Sequence, residues 1–168
     1  MKFRNCLIIL DRDGVINFRS SNLGDYVLGA EQLILNQDVI SMIISIQKTS
    51  NKVVVATNQQ CIGKKLLTEE ALNEIHAKIN NVIIRNGGEA IKFYVCPHLI
   101  SDNCGCRKPK PGLLLQAMSD NDFPKSKTIF VGDSETDRQA ALLASVPFVF
   151  HSGDSRNTIQ KLSNSLVE

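Results

Sequence analysis

Four short stretches carry residue types that could do chemistry. The first is Asp11-Arg12-Asp13-Gly14-Val15, which follows an apolar run at residues 6–10. Two carboxylates this close repel each other unless a cation lies between them. Oxygen-only ligands point to a hard divalent ion such as Mg²⁺. A turn rich in Asx residues, or part of a calcium loop, would look similar, although an EF-hand needs a third acid before its glycine. The second stretch, Thr57-Asn58-Gln59, offers a hydroxyl and amides after the apolar run 52–56. The third, Gly132-Asp133, follows the run 128–131, with Asp137 a helical turn further on. Asp133 could complete a Mg²⁺ site or simply cap the helix that follows.

The fourth stretch is the densest. Cys96 and His98 form a C-x-H pair, Cys104 and Cys106 a C-x-C pair, and Arg107-Lys108-Pro109-Lys110-Pro111 follows at once. Three cysteines and a histidine make a closed tetrahedral donor set of the kind that holds structural Zn²⁺. No C-x-x-C redox pair is present, and the chain's five cysteines are an odd number for a disulfide framework. Four protein ligands leave no position for water, so such a site would be a clamp rather than a catalytic centre. The planar fork of Arg107 suits a phosphate or another acidic group of a substrate. A surface salt bridge is its plainer alternative. Lys108 and Lys110 compete as the lysine of this run.

These stretches need elements to position them. Apolar runs at 6–10, 52–56, 91–95, 128–131 and 146–150 read as strands buried on both faces of a parallel sheet. Helical patterns lie between them: 38–49; a helix capped by Thr68, with Leu72, Ile75, Ile79 and Val82 on its apolar face and Gly87-Gly88 at its end; one opened by Pro111; and 135–144. The tail 152–168 reads as a last, partly exposed helix. The alternation predicts a doubly wound, Rossmann-like parallel α/β sheet. In such sheets ligands bind beyond the carboxyl ends of the strands, where all four stretches fall. Among the other cysteines and histidines, Cys6 reads as a core residue, Cys61 as an inert thiol near the site and His76 as a surface residue. His151 has no assigned role.

The 168 residues fit one domain, 43% are hydrophobic, and the net charge is +2. No basic stripe suggests nucleic acid as a partner, and no apolar run is long enough to span a membrane. The composition is read as that of a cytoplasmic monomer acting on a small molecule.

Taken together, the motifs resemble those of the haloacid dehalogenase superfamily of phosphohydrolases, over residues 6–150. Asp11-Arg12-Asp13-Gly14-Val15 is similar to its first motif, Thr57-Asn58-Gln59 to the second, Lys108 to the third, and Gly132-Asp133 with Asp137 to the fourth. Asp11-Arg12-Asp13-Gly14-Val15-Ile16-Asn17, Thr57-Asn58-Gln59 and the Cys/His run ending in Arg107-Lys108-Pro109 are similar to one subgroup. It contains the D-glycero-D-manno-heptose-1,7-bisphosphate phosphatases and the histidinol-phosphate phosphatases. The resemblance implies one phosphatase domain over 1–168, with a zinc loop at 96–106 and no large cap. It implies hydrolysis of a sugar phosphate, the heptose bisphosphate at position 7, in heptose and lipopolysaccharide biosynthesis. Histidinol phosphate is the alternative substrate. Asp11 would be the nucleophile that forms an aspartyl-phosphate, and Asp13 the general acid and then base. Thr57 and Lys108 would hold the phosphoryl oxygens. Asp11, Asp133 and the backbone carbonyl of Asp13 would bind catalytic Mg²⁺. Cys96, His98, Cys104 and Cys106 would bind structural Zn²⁺. Asp25, Tyr26, Asn58, Gln59 and Arg107 would contact substrate. Cys61 stands where such enzymes usually carry glycine, and Ser134 where the heptose enzymes often carry lysine. A non-enzymatic phosphoacceptor domain of the receiver type would share the sheet and a strand-end aspartate, but Asp13 argues against it.

Overall fold

The computed structural model describes residues 4–19 and 26–165. Five parallel strands form its sheet: β1 (Leu7–Leu10), β2 (Lys52–Asn58), β3 (Lys92–Cys96), β4 (Thr128–Gly132) and β5 (Phe148–Phe150). Their spatial order is β3-β2-β1-β4-β5, the doubly wound arrangement predicted from the sequence. The central strand β1 pairs with β2 through Leu10↔Val55 and with β4 through Leu10↔Val131. Side chains alternate between the two faces. Ile8 and Leu10 pack under α1 (Gln37–Gln47), α3 (Glu69–Arg85) and α6 (Ser155–Ser165). Leu7 and Ile9 pack under α4 (Gly112–Asp120) and α5 (Glu135–Ala144). Burial on both faces explains why the strands read as continuous apolar runs.

Several boundaries differ from the sequence reading for local reasons. β2 continues to Asn58, so Thr57 and Asn58 are its last residues rather than a turn beyond it. β5 begins only at Phe148, because Pro147 lacks the N–H that a ladder needs. A short helix, α2 (Gln60–Gly63), follows β2 and has no apolar period to announce it. Thr68 does cap α3, its hydroxyl accepting from the Ala71 N–H at 3.2 Å.

His76 requires a correction. It is buried on α3, not exposed, and its ring stacks on Phe93 with centroids 3.8 Å apart and planes 7° apart. The apolar seam of α3 runs Leu72, Ile75, His76, Ile79, Ile83, so position 76 lies one turn past Leu72 on the covered side. Val82, placed on that seam from sequence, is only partly buried. Among the described residues no helix is long and apolar enough to cross a membrane.

Candidate active site

The chain reverses direction across the sheet between β1 and β4, which makes the crevice beyond their carboxyl ends the expected place for a ligand. Asp11 follows β1 and its N–H still bonds to the Val131 carbonyl at 2.8 Å. The chain then folds into a tight turn, with the N–H groups of Val15, Ile16 and Asn17 all directed at the Arg12 carbonyl. Gly14 in this turn has φ +92°, and a Cβ there would lie 1.8 Å from Asp133 Oδ2. A glycine is therefore needed for the β4 loop to bring its carboxylate up to the β1 loop.

Lys108 lies at the centre. It is 3% exposed, and its Nζ contacts Asp11 Oδ1 at 2.7 Å, Asp137 Oδ1 at 2.6 Å and the Ala56 carbonyl at 2.9 Å. Burial works against its charge, but Asp11 and Asp137 more than offset this and hold its pKa above the ordinary lysine value. Burial pushes Asp11 up to about 7; Lys108 pulls it back, while Asp137 and Asp13 add to the rise. Lys110 instead bonds to Asn103 and stays on the cysteine loop, outside this cluster. Asp137 has two tasks. It pairs with Lys108, and its Oδ2 accepts from the Ser134 N–H in a capping box that starts α5.

Asp13 is held by three side chains. Arg12 donates to Oδ1 and Oδ2 at 2.9 Å, Asn17 to Oδ1 at 2.9 Å, and Gln59 to Oδ2 at 2.8 Å. Burial alone would raise its pKa, but the Arg12 guanidinium and the bonds from Asn17, Arg12 and Gln59 bring it below the ordinary carboxylate value. Arg12 is itself fully buried, and its Nη1 lies 3.5 Å from His76 Nε2. Burial, then the Arg12 charge, lowers the His76 pKa to about 3, so the ring is neutral and can accept from Arg12.

A cleft of about 260 Å³ opens over Asp11, with Asp13, Thr57, Tyr26, Arg107 and Lys108 along its walls. Tyr26 lines it, its hydroxyl accepting from Gln60 at 2.7 Å and Lys64 at 3.1 Å. Arg107 lines it too and donates to the His98 carbonyl at 3.4 Å. Among the described residues no carboxylate pairs with Arg107, so its surface salt bridge is not found. Asp25 lies outside the described residues. Two of the residues expected to contact substrate have partners within the protein. Gln59 is 3% exposed and faces Asp13 and Thr57 rather than the cleft; Gln60 lines the cleft in its place. Asn58 borders the cleft, but its amide is engaged with the Lys108 backbone, accepting from its N–H and donating to its C=O, both at 3.0 Å. Sequence reasoning also passed over Arg19, which forms a two-pronged pair with Asp133, at 2.8 Å from Nη2 to Oδ1 and 3.0 Å from Nε to Oδ2. An arginine in the loop after the first motif was the available signal.

Carboxylate oxygens of Asp11, Asp133 and Asp137 lie within 4.8 Å of one another. Hard oxygen donors at that spacing, a buried Asp11 crowded by other carboxylates, and a guanidinium already drawn to Asp133 all fit a small divalent cation. Beside the cleft, Cys96, His98, Cys104 and Cys106 also converge within 4.8 Å. Five edges of this cluster run from 3.2 Å (His98 Nδ1 to Cys106 Sγ) to 3.6 Å (Cys96 Sγ to Cys104 Sγ). A tetrahedral metal with bonds of about 2.1–2.3 Å has edges of about 3.6–3.8 Å, so the cluster needs only slight opening to hold one. Burial pushes the Cys96 thiol up to about 12. At Cys104 burial also raises the pKa, but the Arg107 N–H and the neighbouring thiols pull it down to about 6.

Comparison with known proteins places these features in context. The profile of the polynucleotide kinase 3 phosphatase family matches residues 7–159. A D-glycero-beta-D-manno-heptose-1,7-bisphosphate 7-phosphatase of Neisseria meningitidis is 36% identical over 163 residues, covering 96% of this chain and 86% of the relative. A D-glycero-alpha-D-manno-heptose-1,7-bisphosphate 7-phosphatase of Mycobacterium tuberculosis is 36% identical over 135 residues, 80% of this chain and 70% of the relative. Among solved structures, the D,D-heptose 1,7-bisphosphate phosphatase of B. bronchiseptica, complexed with magnesium and phosphate, superimposes with a TM-score of 0.82. It is 33% identical and covers 93% of this chain and 86% of that one.

Proposed function

The chain belongs to the polynucleotide kinase 3 phosphatase family of haloacid dehalogenase-like phosphatases, and on that premise we propose that it removes the 7-phosphate of a D-glycero-D-manno-heptose 1,7-bisphosphate through an aspartyl-phosphate. The observation that carries the reading is the buried Lys108 ammonium. It is held between Asp11 and Asp137 under a cleft whose walls include Asp13 and Thr57. Such a cation beside a strand-end carboxylate offsets the repulsion an anionic nucleophile meets at a phosphate dianion.

An Asp11 carboxylate oxygen attacks phosphorus as the bond to the sugar oxygen breaks. Lys108 and Thr57 take the phosphoryl oxygens as charge spreads over them. Asp13 gives a proton to the departing alkoxide, which is too basic to leave unassisted. A dianionic phosphate docking beside Asp13 raises its proton affinity, against the donors that favour its ionised form at rest. In the second half, Asp13 takes a proton from water as that water attacks the aspartyl-phosphate, releasing inorganic phosphate and Asp11. Mg²⁺ held by Asp11, Asp133 and the Asp13 carbonyl would supply further charge neutralisation at the phosphate. Arg107 and Tyr26 face the rest of the sugar phosphate. Zn²⁺ held by Cys96, His98, Cys104 and Cys106 would fix the loop that carries Arg107 and Lys108.

Phosphate release from both anomers of the heptose bisphosphate and from histidinol phosphate tests the reading. The heptose 1-phosphate should be the product, identified by ³¹P NMR. Faster turnover of histidinol phosphate, or loss of the phosphate at position 1, would refute it.

A further inference from the structure

We propose that Gln59 is a positioning residue that sets Asp13 and Thr57 together for phosphoryl transfer, through the two N–H bonds of one buried side-chain amide. The assignment rests on the hydrolase reading above. Gln59 Nε2 donates to Asp13 Oδ2 at 2.8 Å and to Thr57 Oγ1 at 2.7 Å. An amide nitrogen carries two protons, so these two bonds use it fully. The orientation of the amide is also fixed. With the oxygen turned inward, two acceptors would face each other at Asp13. On its outward side, Oε1 instead takes the thiol of the fully buried Cys61 at 3.5 Å. The backbone is pinned as well, since the Gln59 N–H donates to the Cys96 carbonyl at 2.7 Å.

Two consequences follow for the reaction. First, Gln59 holds Asp13 Oδ2 while Asn17 holds Oδ1, so the carboxyl group that protonates the leaving oxygen cannot swing freely. Second, Thr57 Oγ1 accepts from Gln59, which leaves its own O–H to donate elsewhere, into the cleft that Thr57 lines. One residue thereby fixes both the proton donor for the leaving group and the polarity of a phosphate-binding hydroxyl. Thr57 lies in β2 and Gln59 directly follows its last residue, with its N–H still on the Cys96 carbonyl, so Gln59 keeps the alternation of the strand and faces Asp13 on the same side as Thr57.

Replacing the amide with a group of equal length tests this. Gln59→Met keeps the volume without donors. Gln59→Glu keeps the shape with an oxygen in place of the NH₂, and covers the case in which the first variant does not fold. The readout is kcat/KM of the magnesium-loaded full chain on its sugar phosphate and on p-nitrophenyl phosphate. The second ester has a leaving group that departs without a proton, and kcat/KM reports only steps up to the first transfer. If Gln59 positions Asp13, the sugar phosphate should lose about 10²-fold more than the nitrophenyl ester. Equal losses on both esters, or no loss on either, would overturn the proposal. A wild-type chain inactive on both would instead overturn the hydrolase reading, and this assignment with it.

Discussion

His76 gives a test of the buried network with a magnitude that can be worked out in advance. The residue is 7% exposed, lies beside the buried Arg12 guanidinium, and has its pKa lowered from 6.5 to about 3. The unfolded chain therefore binds a proton below pH 6.5 that the folded chain refuses. A depressed histidine pKa makes stability fall as pH falls, from the unfolded value down to the folded one. Between about pH 7.5 and about pH 5 the wild type should lose about 2 kcal/mol through this residue alone. His76→Gln removes the titration and keeps an acceptor for Arg12. Its absolute stability will also drop, because the stack on Phe93 is lost. The informative quantity is therefore the difference between the two pH dependences, from urea denaturation of both proteins at each pH. Titrations of the carboxylates and thiols are common to both and cancel. Parallel loss of stability in the two proteins would show that His76 is not held neutral against Arg12.

Three further outcomes are expected. Cys106→Ala should lower bound zinc, melting temperature and kcat/KM together, the last by about 10²-fold through misplacement of Lys108; normal values of all three would rule out the clamp. Asn58→Leu leaves the Lys108 N–H and C=O without their partners and should cost about 1–3 kcal/mol in chemical denaturation, with a lower kcat. Unchanged stability would mean that the two bonds contribute nothing. Arg19→Gln removes the guanidinium that competes for Asp133, so Mn²⁺ should bind about two- to fivefold tighter by calorimetry. Weaker binding would contradict that competition.

The amino-acid sequence by itself determined the order of elements, because strands buried on both faces must be written as apolar runs and helices as periodic ones. It also placed Asp11, Thr57, Lys108 and Asp133 at strand ends or in loops on one side of the sheet. Cys96, His98, Cys104 and Cys106 are close in sequence, and their side chains converge as their spacing suggested. Only the tertiary structure decided what each neighbouring side chain does. Asn58, Gln59 and Gln60 are three consecutive amides that no local pattern separates. Because β2 runs on to Asn58, its alternation turns Gln59 towards Asp13 and Asn58 towards the Lys108 backbone, while Gln60 opens α2 and meets Tyr26. Arg12 has no role that the motif by itself reveals; it is fully buried, and Asp13 and His76, the latter 64 positions away, meet its guanidinium. Asp137 became a partner of Lys108, and Arg19 a partner of Asp133, through contacts between segments far apart in the chain. Such pairings depend on how closely the folded sheet brings individual loop side chains together, and motifs read along the chain do not fix those distances.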